Sequence, residues 1–233
     1  MRKIVVIPAR LASTRLPNKL MLPYKGMPIV RHVLENAVGS KADYIFLASS
    51  DDDLLNIAKG SYGANCFAMK TEECNNGTQR VVRAMRAFGL KDDDLVINLQ
   101  ADNPQLSSYH IDALFNILQE NKSGDIATFA RKTTHTAEPS IVKVVLDEKD
   151  TAMYFSRSQI PYGADVCLEH IGIYGFRKHF FDEYDKINDT RFGLENLEQL
   201  AWLYNGLKII VSVIDYNGIS IDTRDDYDLL RLT

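Results

Sequence analysis

Three cations follow the first apolar run of the chain, and their spacing suits the binding of a polyphosphate. Residues 3–7 are predicted to form a buried strand, and Arg10, Arg15 and Lys19 lie in the loop after it, with small residues between them. Small side chains let backbone N–H groups approach phosphate oxygens, while guanidinium and ammonium groups neutralise their charge. The loop has neither a Walker A nor a G-x-G-x-x-G sequence, so it would hold a nucleotide by another design. The alternative is an ordinary strand-to-loop crossing with solvated cations.

Two aspartates are candidate ligands of a divalent cation. Asp102 follows the apolar run 95–99, and Asp222 follows a later strand-like segment. A carboxylate just beyond a parallel strand lies where such sheets bind ligands, and its oxygens suit Mg²⁺. Together the two could hold a metal on nucleotide phosphates, where it would act as a Lewis acid. Either aspartate alone is as readily a turn or cap residue, and Asp222 with Thr223 could cap a helix predicted over 225–232.

Several other polar positions carry weaker signals. The segment 75–80 is a turn that opens a predicted helix, whose free N–H groups could bind a base or a phosphate, although such a turn is more often only a cap. Arg157 is a further cation after an apolar segment. His170 opens a predicted strand, where a lone histidine is more often a packing or surface residue than a catalytic base. Glu195 and Glu198 could bind a polar ligand from a predicted helix, but a solvated helix face is the default interpretation.

Strand-like and helix-like patterns alternate over the first half of the chain. Apolar runs bounded by turn residues predict strands, and apolar residues at helical spacing predict helices between several of them. The predicted strands are 4–7, 44–48, 64–68, 95–99 and 126–129, and the predicted helices are 29–38, 52–62, 78–88 and 108–119. This alternation is typical of an α/β fold with a mainly parallel, doubly wound sheet, which binds ligands at the carboxyl ends of its strands.

The pattern changes near residue 141. Strands are then predicted at 142–147 and 170–176, followed by a helix at 196–204 and a late strand at 209–214. No internal repeat or linker interrupts the chain. The simplest organisation is a single domain, 1–233, with an inserted β-rich excursion at roughly 140–190.

Composition narrows the classes of partner. The 233 residues, 45% of them hydrophobic, can bury a full core. A formal net charge of −4 argues against broad binding to nucleic acid or to a membrane surface. No segment approaches the roughly 20 consecutive apolar residues of a membrane span, and the first residues lack a signal-peptide pattern. Three cysteines without a C-x-x-C pair favour a reducing cytoplasm over a disulfide scaffold or a zinc knuckle.

Eight segments, taken in order, carry a family resemblance. They are IPARLASTRLPNKL at 7–20, KGMPIVRHV at 25–33, NGTQR at 76–80, NLQADNP at 98–104, VKVVLDEKDTAMYFSRSQIP at 142–161, HIGIYGFR at 170–177, LENLEQL at 194–200 and IDT at 221–223. Together they resemble the 3-deoxy-manno-octulosonate (Kdo) cytidylyltransferases, also called CMP-Kdo synthetases, over nearly the whole chain. The segment 142–161 is the most specific, because general nucleotidyltransferases share the first loop but not that run.

The resemblance implies a Rossmann-like nucleotidyltransferase fold whose excursion binds the sugar and forms a homodimer. The implied reaction joins CMP from CTP to the anomeric hydroxyl of an eight-carbon acidic sugar, releases diphosphate and requires Mg²⁺. By matching motif, Arg10, Ser13, Arg15 and Lys19 would surround the CTP phosphates; Gly77, Thr78, Arg80 and Gln100 would lie around the cytidine; Asp102 and Asp222 would hold magnesium; and Arg157, His170, Tyr174, Glu198 and Gln199 would line the sugar site. Catalysis would depend on Arg15, Lys19, Asp102 and Asp222.

The chain also departs from the family pattern. The usual S-G-T-E-R is N-G-T-Q-R at 76–80, G-D-E-P is A-D-N-P at 101–104, and the Arg that usually follows L-E-Q-L is Ala201. These changes alter the charge near the predicted site. They predict an acceptor pocket that tolerates or prefers a sugar whose substituents differ from those of Kdo. The alternatives are a transferase for another sugar acid or nucleotide, and a non-catalytic nucleotide-binding relative. Retention of Arg15, Lys19, Asp102 and Asp222 argues against the last.

Overall fold

The computed structural model describes residues 1–59, 62–187 and 195–233. They divide into two compact units, the first made of Met1–Phe115 and Asn217–Thr233 and the second of Asn116–Tyr216. The end of the predicted helix 52–62, the end of the predicted excursion and the first residue of the 194–200 segment include residues outside the described ranges. All the predicted site residues lie inside them.

The elements alternate in the first unit and are mainly strands in the second. In chain order the strands are β1 (Lys3–Pro8), β2 (Pro23–Tyr24), β3 (Met27–Pro28), β4 (Tyr44–Ser49), β5 (Cys66–Lys70), β6 (Leu95–Leu99), β7 (Ile126–Thr133), β8 (Lys143–Leu146), β9 (Ala152–Ser156), β10 (Cys167–Arg177) and β11 (Ile209–Val213). The α-helices are α1 (Ile29–Val38), α2 (Asp52–Ala58), α3 (Gly77–Phe88), α4 (Ser108–Glu120), α5 (Lys178–Glu183), α6 (Glu198–Tyr204) and α7 (Arg224–Leu230). None of the described helices is long and apolar enough to cross a bilayer.

The first unit is built on a parallel sheet in the order β6, β1, β4, β5. The side chains of β1 and β6 are buried along almost their whole length, as expected of parallel strands covered on both faces. The predicted mainly parallel α/β fold is therefore confirmed. Because β1 and β6 are parallel neighbours, the loop after Pro8 and the turn after Leu99 leave the same edge of the sheet. That edge is where such sheets bind ligands.

The second unit pairs its strands in the order β11, β7, β10, β8, β9. The β11–β7 pair is parallel and the other pairs are antiparallel. A register shift in β10 between Ile171 and Tyr174 interrupts its ladder with β7. The predicted excursion at roughly 140–190 lies within this unit where it is described, and its sugar-binding and dimer-forming roles stay predictions.

Candidate functional site

The carboxyl edge of the first unit's sheet brings Lys19, Asp102 and Asp222 into one charge cluster. The Lys19 ammonium donates hydrogen bonds to Asp102 Oδ2 at 2.6 Å and to Asp222 Oδ1 at 2.9 Å. It donates a third to the carbonyl of Ile221 at 2.7 Å. Arg15 Nη2 lies 3.0 Å from the other carboxylate oxygen of Asp222. Residues up to 203 positions apart in the chain, predicted for phosphate and for metal, thus converge.

Buried apolar residues hold the segments that carry this cluster. Leu16, from the loop after β1, and Ile221 pack in one buried group with residues of α7. The Ile221 N–H donates a hydrogen bond to the carbonyl of Asp102 at 3.1 Å. Because Ile221 precedes Asp222 and is bonded to Asp102, its burial holds the two aspartates at one site.

The charges of the cluster stabilise one another. Burial alone would lower the pKa of Lys19, but the carboxylates of Asp102 and Asp222 outweigh it and the pKa is raised. Burial would raise the pKa of Asp222, but Lys19 and Arg15 outweigh it and the pKa is lowered. Lys19 is therefore a cation and Asp222 an anion at neutral pH. Such a cluster can exchange its internal partners for a phosphate group or a metal ion.

Asp222 does not act as a helix cap. Thr223 is the N-cap of α7: its Oγ1 accepts a hydrogen bond from the Asp226 N–H at 3.3 Å, and Asp226 Oδ2 accepts one from the Thr223 N–H at 2.7 Å. The prediction that Asp222 with Thr223 could cap this helix is confirmed for Thr223, whereas Asp222 contributes its N–H, which donates to Asp226 Oδ2 at 3.0 Å, and not its side chain. Its two carboxylate oxygens instead accept from Lys19 and Arg15.

The two carboxylates suit a magnesium ion shared with a ligand. Asp102 and Asp222 both accept a hydrogen bond from the one Lys19 ammonium, so the two carboxylates are close enough for a single cation to contact both. Mg²⁺ is usually held by one or two carboxylates together with waters and substrate phosphates. Among the described residues no group of three or more His, Cys, Asp or Glu side chains is placed to hold a metal. The donor set therefore fits a metal that binds with phosphates better than a metal in a closed protein cage.

The loop after β1 is anchored at its start and exposes its cations. The Ala9 N–H donates to the carbonyl of Ala48 at 2.9 Å, and the Leu11 N–H donates to Asp51 Oδ2 at 2.9 Å. Arg10 is exposed and Ser13 is half-buried. The anchors hold the backbone at the edge of the sheet, while the predicted phosphate contacts of these two residues stay predictions.

Gly77, Thr78 and Gln100 come together at the start of α3. A Cβ atom at Gly77 would lie 3.3 Å from Pro8 Cγ and 3.4 Å from Gln100 Oε1, so the absence of a side chain allows close packing. The buried Thr78 hydroxyl accepts a hydrogen bond from Asn98 Nδ2 at 3.3 Å, and Asn98 Oδ1 accepts one from Gln100 Nε2 at 3.1 Å. The predicted cytidine residues are thus linked through Asn98, which the sequence interpretation did not single out.

The departures at Asn76 and Gln79 keep the start of α3 capped. Asn76 Oδ1 accepts a hydrogen bond from the Gln79 N–H at 2.7 Å, and Gln79 Oε1 accepts one from the Asn75 N–H at 2.8 Å. The amide of Gln79 thus satisfies an N–H of the turn, as a carboxylate in a capping box does. These two departures are explained by helix capping.

Arg80 is a buried cation with one unsatisfied donor. Its side chain is almost fully buried, and Nη1 donates to Thr71 Oγ1 at 2.6 Å. Its Nη2 has no hydrogen-bond partner among the described residues. A buried N–H group without an acceptor is costly, so such a group indicates the place of a ligand acceptor.

The second unit surrounds His170 with neutral partners. The Thr128 hydroxyl donates to the carbonyl of Ile173 at 2.6 Å, so it accepts from His170 Nε2, which lies 3.0 Å away. His170 Nδ1 then accepts from Gln199 Nε2 at 3.3 Å. Burial lowers the pKa of His170 to about 3. The imidazole is therefore neutral at physiological pH, and the protein engages both of its nitrogens.

Tyr174 and Glu198 lie beside this histidine network. The ring of Tyr174 stacks on His170 with centroids 5.3 Å apart and meets Trp202 edge-on at 4.9 Å. Burial, and then the charge of Glu198, raise the pKa of Tyr174, so its hydroxyl keeps its proton. Ala201 is buried on α6, and an arginine there would put a cation into the interior of the unit. Packing thus explains the departure at this position.

Arg157 is held by residues that the sequence interpretation did not assign. Its Nε donates to the carbonyl of Glu195 at 3.2 Å, and the Lys143 ammonium donates to the Arg157 carbonyl at 2.6 Å. The prediction that Glu195 lies on a solvated helix face is wrong, because α6 begins only at Glu198 and the Glu195 carboxylate accepts hydrogen bonds from β9 and the residue after it. The signal available in the sequence was a lysine at position 143 inside an otherwise apolar strand.

Comparison with known proteins shows the family of the chain. A family model described as cytidylyltransferase matches residues 4–209. The chain is 34% identical to the 8-amino-3,8-dideoxy-manno-octulosonate cytidylyltransferases of Shewanella baltica and Shewanella sediminis, over 97% of this chain and 96% of each relative.

Solved structures show the same relationship. A CMP:2-keto-3-deoxy-manno-octonic acid synthetase complexed with CTP is 30% identical, with a TM-score of 0.91 over 100% of this chain and 98% of that one. A 4-diphosphocytidyl-2C-methyl-D-erythritol synthase from Anaerococcus prevotii, 15% identical with a TM-score of 0.69 over 99% of this chain and 97% of that one, shares the fold. With its matching family model and these relatives, the chain belongs to the cytidylyltransferase family.

Proposed function

We propose that this cytidylyltransferase transfers CMP from CTP to the anomeric hydroxyl of Kdo or of its 8-amino derivative, with release of diphosphate. The observation that carries the proposal is the convergence of Lys19, Asp102 and Asp222 at the carboxyl edge of the parallel sheet. The names of the relatives support a 3-deoxy-2-ulosonic acid as the acceptor.

The charge cluster would position and stabilise the transferring phosphate. We propose that Asp102 and Asp222 hold a magnesium ion, which when bound supplies Lewis-acid stabilisation of phosphate charge. Lys19 and Arg15 then offset the negative charge that develops on diphosphate as the bond to the α-phosphate breaks. Arg10 and Ser13, on the same loop, contact the remaining phosphate oxygens.

The start of α3 would hold the nucleoside. Gly77 lets the ligand approach the backbone closely, and Thr78 and Gln100 offer polar atoms beside it. The unsatisfied Nη2 of Arg80 donates to an oxygen of the cytidine. We expect the selection of cytosine to depend on this group.

The second unit would bind the acidic sugar. Arg157 carries the charge that recognises a carboxylate, while the histidine network supplies neutral groups for hydroxyls. We propose that His170, Tyr174, Glu198 and Gln199 line the sugar site of this unit. The names of the relatives reported above refer to Kdo and to its 8-amino derivative. Because the sequence departs from the family pattern near the acceptor, we expect a measurable preference for one of these two sugars.

A diphosphate-release assay tests the proposal. The protein is assayed with CTP, UTP and dCTP against Kdo and 8-amino-Kdo, with Mg²⁺ and with EDTA. We expect release only with CTP and Mg²⁺, and a higher rate with one of the two sugars than with the other. Release with another nucleotide would establish the alternative substrate class, and CTP binding without turnover would identify a non-catalytic relative.

We also propose that the protein forms a homodimer and that it acts in the cytoplasm. The second unit exposes large apolar side chains, among them Met153 and Tyr204, which a second copy would cover. Cys66, Cys74 and Cys167 are free thiols, which suits a reducing compartment. Light scattering after size-exclusion chromatography measures the mass, and the mass of a single chain would refute the dimer.

A further inference from the structure

Glu195 holds both the main chain and the side chain of Arg157. Its Oε2 accepts a hydrogen bond from the Arg157 N–H at 2.6 Å. The same carboxylate accepts one from Ser156 Oγ at 3.0 Å, which ties it to the end of β9. Its backbone carbonyl accepts one from Arg157 Nε at 3.2 Å.

Lys143 holds Arg157 from the other side. Its side chain is fully buried, and the ammonium donates to the carbonyls of Arg157 and Glu138 at 2.6 Å each and of Ile141 at 3.0 Å. The loop between the last two residues contains Pro139, whose carbonyl accepts from Arg157 Nη1 at 3.2 Å. Lys143 therefore fixes the loop that in turn holds the guanidinium.

The arrangement keeps the charge of Arg157 available to a ligand. Its guanidinium donates to two neutral carbonyls and forms no ion pair with any residue in the described ranges. A guanidinium fixed in this way loses little conformational entropy when a carboxylate binds, and its remaining donors match a carboxylate fork.

We propose that Glu195 and Lys143, named here the Arg157 clamp, are positioning residues that set the orientation of Arg157 toward the carboxylate of the acceptor sugar. The proposal rests on the proposed function, in which Arg157 recognises that carboxylate. The clamp acts through Arg157 and need not touch the sugar. It therefore affects acceptor binding more than CTP binding.

A double-mutant cycle of Glu195 and Arg157 tests the clamp. Glu195→Gln keeps the shape of the side chain but removes its charge. We expect it to raise the KM for the acceptor about tenfold and to leave the KM for CTP within about twofold. In an Arg157→Ala background it should add less than about twofold, because its partner is already lost. Glu148→Gln, at an exposed glutamate of the same unit, is the matched control.

The outcomes separate the clamp from the proposed function. An unchanged acceptor KM in Glu195→Gln, or an effect that multiplies that of Arg157→Ala, overturns the clamp while leaving the role of Arg157 intact. An unchanged acceptor KM in Arg157→Ala overturns the clamp and the proposed role of Arg157, whereas the absence of any diphosphate release from the parent protein overturns the proposed transfer itself.

Lys143 supplies a second, independent variant. We expect Lys143→Met to raise the acceptor KM in the same selective way, with Lys149→Met, at an exposed lysine, as the control. Circular dichroism identifies a variant that fails to fold, in which case the Glu195 cycle decides. A folded Lys143→Met variant with an unchanged acceptor KM overturns the role of Lys143.

Discussion

The cations of the two units have different hydrogen-bond acceptors. Lys19 and Arg15 are held mainly by side-chain carboxylates, whereas Lys143 and the guanidinium of Arg157 are held by backbone carbonyls. A carboxylate partner can rotate away or be taken by a metal ion. A backbone carbonyl moves only when the chain moves. The first arrangement can therefore change partners during a reaction, and the second keeps one geometry.

This difference predicts different consequences of substitution. Removal of a charged group from the first unit should reduce turnover, because these side chains would stabilise the negative charge that develops on the phosphates during the reaction. Removal of a polar group from the second should change acceptor binding or stability, since those groups are already satisfied within the fold.

The largest effect is expected for Asp102→Asn. The change keeps the shape of the side chain but removes the charge that Lys19, or a metal ion, would meet, and we expect the rate of diphosphate release to fall by about a hundredfold or more. Circular dichroism should show an intact fold. Asp93→Asn, at an exposed aspartate of the same unit, is the control. If the turnover of the variant stays within about tenfold of the parent, the activation barrier has risen by less than about 1.4 kcal/mol. Asp102 would then not be a principal ligand of the metal ion.

A smaller effect is expected for Arg15→Ala. The Arg15 side chain is 65% exposed, so its loss should leave folding undisturbed. We expect a higher KM for CTP and a lower kcat, about ten- to a hundredfold together in kcat/KM, because a phosphate clamp acts in binding and as charge moves. Arg86→Ala, at an exposed arginine of α3, provides the comparison. If both parameters stay at the parental values, Arg15 is only a surface cation.

The second unit should instead lose stability in acid. The unfolded chain protonates His170 near its ordinary pKa of 6.5, whereas burial lowers the pKa in the folded state to about 3. The unfolded state therefore binds more protons between these values, and this contribution to stability is present above pH 6.5 and is lost as the pH falls toward 3. Between pH 7 and pH 5 we expect a loss of about 2 kcal/mol.

Urea unfolding of the parent and of His170→Asn at these two pH values measures this contribution. The variant should lose less stability on acidification, because asparagine does not titrate. An equal loss in both proteins would show that His170 is not the group responsible.

The smallest effect is expected for Thr223→Ala. The change removes the hydroxyl that caps α7 and should lower the free energy of unfolding by about 1 kcal/mol. Turnover should fall far less than in Asp222→Asn, because the carboxylate of Asp222 remains. Urea unfolding and diphosphate release are measured on the same samples. A loss of turnover as large as that of Asp222→Asn would mean that the cap, and not the carboxylate, organises this edge of the charge cluster.

Local patterns in the sequence predicted the fold of the first unit and the places of the cationic loop and of Asp102 at the ends of its strands. The apolar run at 95–99 predicts β6 residue for residue, and Asp102 is predicted to lie beyond the strand because the run ends at Leu99. The cations at 10, 15 and 19 stand out because they follow the first strand at once. Each of these signals lies within about a dozen residues, the distance over which sequence patterns carry structural information.

The sequence by itself thus determined the fold class, the cationic loop and the carboxylate beyond β6. Only the tertiary structure decided that Thr223, and not Asp222, caps α7, which leaves Asp222 to meet Lys19 from 203 positions away. It also assigned Glu195 and Lys143 to Arg157, where hydrogen bonds join a strand, a loop and the turn before α6. Contacts of this kind depend on how distant segments pack against one another, and the periodicity of any single segment does not encode that packing.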